Sequence, residues 1–149
     1  MHPKLIPILN EFIQRHELSS LIVYGSYVRG DFTDASDVDL LGIKETGPDS
    51  MDTRVIDGLQ LDGWIYSAPS LTKTEDFLRL HGGKVYFDES GKGAQLMTEV
   101  QTLFESGPAP LSANEREHLQ AWIQKMLRRA ETPDLEGLFR MNWLIHELL

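Results

Sequence analysis

One feature constrains the possible folds of this chain most strongly. A short apolar run ends in glycine, and alternating acidic and apolar residues begin twelve residues later. Residues 21–24 are apolar and partly β-branched, which predicts a buried strand ending at Gly25. Residues 37–43 begin with strict alternation, which predicts a second strand. Because successive side chains of a strand leave opposite faces, Asp37 and Asp39 should share one face while the apolar residues between and after them enter the core.

The turn after the first strand has features suited to binding an anion. Gly25 lacks a Cβ atom, so backbone amides can approach a ligand closely there. Ser26 adds a hydroxyl group, and a short helix beginning at this residue would direct free N–H groups at an anion. Arg29 follows one turn later, where it can meet a phosphate or pair with Asp31 or Asp34, and the sequence leaves these alternatives open.

Negative charge is concentrated around the second strand. The chain carries a net charge of −9, and residues 31–62 contain nine acidic residues against two basic ones. Crowded carboxylates repel one another unless solvent or a cation neutralises them. A solvated acidic loop is the simpler explanation, but the spacing of Asp37 and Asp39 favours a site for Mg²⁺ or Mn²⁺, with a third acid nearby if two metals bind. The net charge argues against a protein that binds the nucleic-acid backbone over a broad surface.

The chain contains Gly25-Ser26, then ten further residues that end with Ser36, and then Asp37-x-Asp39. This pattern resembles the signature of the polymerase-β-like nucleotidyltransferase superfamily. The resemblance implies that the Gly-Ser turn holds the tail of a nucleoside triphosphate and that the two aspartates bind divalent metal. It also implies a third acid on a following strand, which completes the site and activates the attacking hydroxyl.

Asp62, within the predicted strand at residues 59–65, is the best match for that third acid. Asp57 is a weaker candidate, because Asp57-Gly58 is better explained as the tight turn of a hairpin. By resemblance, the catalytic and metal-binding residues are Asp37, Asp39 and Asp62, and the nucleotide-binding residues are Gly25, Ser26, Arg29 and Ser36. Trp64 and Tyr66 follow on the same strand, where packing in the core or at a sheet edge is favoured over stacking on a base.

The small bacterial members of the superfamily are the most similar, which implies a metal-dependent nucleotidyltransferase. The expected reaction moves a nucleoside monophosphate, AMP from ATP, onto a hydroxyl of a small molecule such as an aminoglycoside-like acceptor. The alternative is an antitoxin-type minimal nucleotidyltransferase that adenylylates, or simply binds, a partner protein. With no cysteine, no apolar run of about 18 residues and no signal-peptide pattern at the start, the expected location is the cytoplasm, away from membranes.

The order of elements predicts an α+β nucleotidyltransferase fold, a small mixed β-sheet flanked by helices and followed by C-terminal helices. We expect a catalytic domain at residues 1–106 and a helical extension at residues 107–149. Two Thr/Ser-x-x-Glu capping boxes, Thr72 with Glu75 and Ser112 with Glu115, predict helix starts. The predicted helices are 4–17, 73–80, 94–104, one beginning after Ser112 and one from Leu135 onward, and the predicted strands are 21–24, 37–43, the hairpin 54–65 and 84–87.

The last predicted helix is apolar around most of its circumference and reaches Leu149 without a polar final turn. A helix of this kind must be buried. We expect a homodimer that pairs residues 111–149 of two copies; the alternatives are a helical partner or a chain that continues past Leu149.

Overall fold

The computed structural model describes residues 5–148, and the side chains as far as residue 146. It confirms an α+β fold with a mixed sheet flanked by helices and followed by C-terminal helices. The helices are α1 Leu5–His16, α2 Ser26–Arg29, α3 Lys92–Ser106, α4 Ala113–Ala130 and α5 Leu135–Leu148, with 3₁₀ helices at Ala68–Ser70 and Thr74–Leu80. The strands are β1 Ser20–Tyr24, β2 Val38–Lys44, β3 Ser50–Asp52, β4 Val55–Ile56, β5 Leu59–Ser67 and β6 Lys84–Asp88.

The sheet places the two predicted acidic strands side by side. Its order is β3-β5-β2-β1-β6, and the short β4 pairs with β5. Strands β2 and β5 are parallel, whereas the other pairings are antiparallel. The chain between β2 and β5 forms β3 and β4, so the connection from one acidic strand to the other runs along the edge of the sheet.

Each face of the sheet is covered by a separate apolar cluster. Helix α1 packs on one face, where Phe12 is fully buried and lies so close to Gly63 that a Cβ there would come within 2.7 Å of its ring. The 3₁₀ helix Thr74–Leu80 and α3 cover the other face through Phe77, Leu80, Leu96 and Val100. Burial of these side chains holds the helices against the two faces of the sheet.

Most predicted elements lie close to their predicted bounds, and several details differ. Strand β2 begins at Val38, so Asp37 lies one residue before it. Strand β3 was not predicted, because residues 50–52 contain a single apolar side chain and their pairing with β5 gives no local signal. The predicted hairpin is confirmed: β4 and β5 pair across Asp57 and Gly58, both at positive φ. Lys4, the predicted start of the first helix, lies outside the described residues.

The capping box predicted at Thr72 and Glu75 is wrong. The segment is a 3₁₀ helix that begins at Thr74, with Lys73 in the capping position and no side-chain cap. The Thr72 N–H is not available to the Glu75 side chain, because it donates to the carbonyl of Ser70 in the preceding turn at 2.9 Å. This turn therefore fixes the helix start, and the side chain of Thr72 takes no part in it.

The chain separates into two compact units, the first ending at Gly107 and the second beginning at Pro108. In the second unit the capping box at Ser112 is confirmed, since its hydroxyl accepts from the Glu115 N–H and the Glu115 carboxylate accepts from the Ser112 N–H. Helices α4 and α5 contact each other through Trp122 and Trp143, whose rings meet edge to face with centroids 5.6 Å apart. Within residues 5–148, no helix combines the length and apolarity needed to cross a membrane.

A network of charged groups ties α1 to the edge strand β3. The Asp52 carboxylate is buried and accepts from the Arg54 guanidinium at 2.7 and 2.8 Å, while its Oδ2 lies 2.8 Å from His16 Nε2. Arg54 also donates to both carboxylate oxygens of Glu11, at 3.1 and 3.2 Å. Hydrogen bonding to Arg54 holds the pKa of Asp52 well below its usual range despite the burial.

We expect Arg54→Ala to lower the free energy of unfolding by about 1–3 kcal/mol, because it leaves the buried Asp52 carboxylate short of its main hydrogen-bond donors. Urea unfolding of the purified protein measures this. Arg15→Ala is the matched control, since Arg15 is half-exposed and its nearest approach to Glu11 is 3.9 Å. The control should change stability by no more than about 0.5 kcal/mol. Equal effects of the two substitutions would contradict a structural role for the network.

Candidate active site

Three aspartates meet at one end of the sheet. Asp39 on β2 lies directly opposite Asp62 on β5 in the parallel register, and Asp37 precedes β2. One carboxylate oxygen from each of Asp37, Asp39 and Asp62 lies within 4.8 Å of the others. Asp37 is exposed and the other two are partly buried. The structure therefore brings together the three acids that the sequence singled out, within reach of one cation.

The opposite face of β2 explains why Asp39 points into this cluster. Val38 and Leu40 flank it in the strand and are fully buried in the core under α1. Since side chains alternate, burying both of these residues forces Asp39 onto the other face. On β5, Leu61 is buried in the same core and directs Asp62 in the same way. The apolar residues thus set the direction of the acidic ones.

Gly25 allows the turn after β1 to approach Asp39 closely. Its backbone has φ 69° and ψ −153°, a region that side chains with a Cβ rarely adopt. A Cβ placed there would lie 1.8 Å from Asp39 Oδ2. Glycine is therefore required at this position for two independent reasons, and the turn that leads into α2 sits directly against the acidic cluster.

The fold holds the three carboxylates of the cluster close together, so their negative charges repel one another. Partial burial raises the pKa of Asp39, and the neighbouring charges of Asp37 and Asp62 raise it further. The positive charge of Arg29 acts in the opposite direction. A bound divalent cation would relieve this repulsion, and three carboxylates suit a hard cation such as Mg²⁺ or Mn²⁺. The residues present therefore fit a metal site.

The nucleotidyltransferase domain family matches residues 5–91, more than half of the chain and the region that contains the whole cluster. The chain belongs to this family. The resemblance to polymerase-β-like nucleotidyltransferases is thereby confirmed, and nucleotidyl transfer is the general activity that membership supports. No curated protein matches the chain.

In this nucleotidyltransferase domain, Arg29 and Ser36 make local contacts. The Arg29 Nε donates to Asp31 at 3.2 Å, one of the two pairings considered for it, and its side chain is largely exposed. The Ser36 hydroxyl accepts from the Thr33 N–H at 2.9 Å, which closes the turn that leads into β2. Arg29 nevertheless lies near enough to influence Asp39, whereas the contacts of Ser36 shape the loop.

Sequence reasoning missed two residues beside the cluster, Tyr24 and Arg79. Tyr24 ends β1 opposite Asp39, and burial together with the negative charges nearby raises the pKa of its hydroxyl group. Arg79, on the 3₁₀ helix Thr74–Leu80, lies against that hydroxyl and over the Trp64 ring, 5.3 Å from its centroid. No local sequence signal could have placed Arg79 here, because its position depends on how the 3₁₀ helix packs on the sheet.

We expect Asp39→Asn to weaken Mn²⁺ binding in the presence of ATP by at least about tenfold, since even the loss of a group that only supports a ligand costs about that much. Isothermal titration calorimetry measures it. Asp34→Asn is the control, because Asp34 is exposed and outside the cluster, and its effect should be small. Unchanged metal binding in Asp39→Asn would contradict the metal site.

Proposed function

We propose that this chain transfers a nucleoside monophosphate, AMP from ATP, onto a hydroxyl group of a small molecule in the cytoplasm. The observation that carries the proposal is the Asp37–Asp39–Asp62 cluster, set on adjacent strands beside the Gly25 turn and inside the region matched by the family. The aminoglycoside-like acceptor implied by the resemblance is one example of such a molecule.

The turn after β1 is proposed to hold the triphosphate tail. Gly25 leaves room for phosphate oxygens near the backbone, and the Ser26 hydroxyl and N–H begin the short α2 at the same point. Arg29 has its guanidinium largely in solvent, so it can exchange its contact with Asp31 for a phosphate. Ser36 keeps the loop before Asp37 in shape through its contact with Thr33.

Asp37, Asp39 and Asp62 are proposed to hold Mg²⁺ or Mn²⁺. Bound metal supplies neutralisation of the charge on the phosphates and on the attacking oxygen. The carboxylates would fix the position of the metal ion, since Asp39 and Asp62 lie on neighbouring strands whose opposite faces are buried. Such fixed positioning and charge complementarity account for most of the catalysis expected in this chemistry.

Asp62 is proposed to act as the general base. The acceptor hydroxyl passes its proton to the Asp62 carboxylate while its oxygen forms a bond to the α-phosphorus. The bond from that phosphorus to the bridging oxygen breaks, and pyrophosphate leaves with the electron pair. Asp62 suits this role because it lies on the far side of Asp39 from the Gly25 turn, across the strand order β5-β2-β1.

We expect Asp62→Asn to lower turnover by at least about 10², because the amide cannot accept the proton, while ATP binding falls much less. Single-turnover assays with labelled ATP and a panel of acceptors, with the products identified by mass spectrometry, measure the loss of turnover and the loss of ATP binding separately. Asp57→Asn is the control, since Asp57 lies in the hairpin turn. An Asp62→Asn protein with near-normal turnover would place the base elsewhere.

The exposed apolar surface of the helical unit supports a second candidate function, an antitoxin-type nucleotidyltransferase that adenylylates or binds a partner protein. Large side chains on α5 remain exposed, among them Leu135 at 83%, Leu138 at 68% and Phe139 at 69%. Surfaces of this kind commonly mark protein interaction sites.

We also propose that two copies of the chain associate through α4 and α5. Among their described side chains, Met126 and Leu144 are the buried large apolar ones, too few to form a core. A second copy offers an identical apolar surface, and a two-fold arrangement would pair it with itself. Each fully buried large side chain would contribute roughly 1.5–3 kcal/mol.

Light scattering at micromolar concentration should show a dimer for the wild type and a monomer for the Leu138→Lys, Phe139→Glu double variant. These positions are exposed, so the variant should keep its helices, which circular dichroism checks. Trp143 is left intact because it packs on Trp122. Gln124→Lys, at an exposed polar position on α4, is the control. A monomeric wild type would contradict the dimer.

A further inference from the structure

The face of the sheet that carries the acids continues into an open groove at the β3 edge. Asp62, Trp64 and Tyr66 alternate with buried residues along β5, so all three leave the same face. Met51 on β3 pairs with Trp64 and is 53% exposed. Met51, Trp64 and Tyr66 line a groove of about 400 Å³ together with Ile65 and the polar residues Asp49 and Ser50. The groove begins about 7 Å along the strand from Asp62.

Arg79 lies beside this groove and supplies a positive charge on its Trp64 and Tyr66 side. The Asp49 carboxylate in the lining accepts from the Ser67 N–H at 2.8 Å and from the Ser70 hydroxyl at 3.0 Å. The Arg79 guanidinium lies over the Trp64 ring and donates to the Tyr66 hydroxyl at 3.3 Å and to the Asp76 carbonyl at 3.3 Å. Among the side chains described, those of residues 5–146, no carboxylate lies within salt-bridge distance of Arg79. A guanidinium has five N–H donors, so Arg79 keeps donors for a further acceptor beside the oxygens of Tyr24, Tyr66 and Asp76.

The strand order decides which substrate would occupy the groove. If the Gly25 turn after β1 holds the triphosphate, the leaving pyrophosphate lies on the β1 side of Asp39. In an in-line displacement the attacking oxygen enters from the opposite side, which is the side of β5 and its neighbour β3. The groove lies there, next to the proposed base Asp62, and so faces the body of the acceptor molecule.

We propose that Met51, Trp64 and Tyr66 bind a flat, apolar part of the acceptor and that Arg79 binds an anionic group attached to it. The acceptor is then a hydroxylated ring compound that carries a carboxylate or phosphate group. Such an acceptor differs from aminoglycoside-like amines, which have no anionic group for Arg79 to bind. The inference rests on the proposed function, since it takes the direction of attack from it.

Two ring compounds that differ only in charge test the proposal, namely 4-hydroxybenzoate and 4-hydroxybenzylamine. With Mg²⁺ and labelled ATP, the wild type should show a kcat/KM at least about tenfold higher for the benzoate, the size of one charge-assisted hydrogen bond. Arg79→Gln should abolish this preference by raising the KM for the benzoate, with the KM for ATP unchanged. Arg79→Lys should keep part of the preference, and Trp64→Leu should raise the KM for both compounds.

Arg15→Gln is the matched control, since Arg15 is an exposed arginine on α1, which packs on the other face of the sheet. Thermal unfolding shows whether each variant is folded. The subsite is overturned if Arg79→Gln keeps the wild-type preference, if the wild type does not discriminate, or if neither compound accepts AMP while ATP still binds. If ATP binding itself is missing or does not depend on Asp39, the proposed function fails instead.

Discussion

The parallel pairing of β2 with β5 is the constraint on which the rest of the site depends. It sets Asp39 opposite Asp62 and brings two like charges together, an arrangement that costs free energy. The apolar residues on the reverse face offset this cost, because they are buried under α1. A slip of one residue would expose them and turn Asp62 to the other face, so the packing of α1 maintains the acidic cluster.

A second constraint joins the turn after β1 to that cluster. Gly25 sits so close to Asp39 that any side chain there would collide with the carboxylate. The absence of a side chain at Gly25 therefore lets the proposed phosphate-binding turn lie directly beside a proposed metal ligand. In-line transfer requires such proximity, since its rate depends on the relative placement of phosphate, metal and hydroxyl.

The two faces of the sheet are covered differently. The face under α1 is closed and apolar, whereas the other is covered at one end by α3 and the 3₁₀ helix Thr74–Leu80 and open at the acidic end. That 3₁₀ helix contributes both to the core, through Phe77, and to the proposed acceptor groove, through Arg79. Its packing thus links the stability of this face to the proposed binding of the acceptor.

The strands at β1, β2 and β5, the hairpin at Asp57 and the pair Asp37 and Asp39 could be predicted from the sequence, because alternation, turn residues and motif spacing are local properties. Asp62 was assigned through the resemblance to the family. Tertiary structure alone decided that β3 lies at the edge, that the Arg54 network joins it to α1, that Thr72 does not cap a helix, and that Arg79 covers Trp64. These features depend on pairing and packing between residues far apart in the chain. No spacing encodes such contacts, since their free energy arises only when the sheet register and the covering helices are in place.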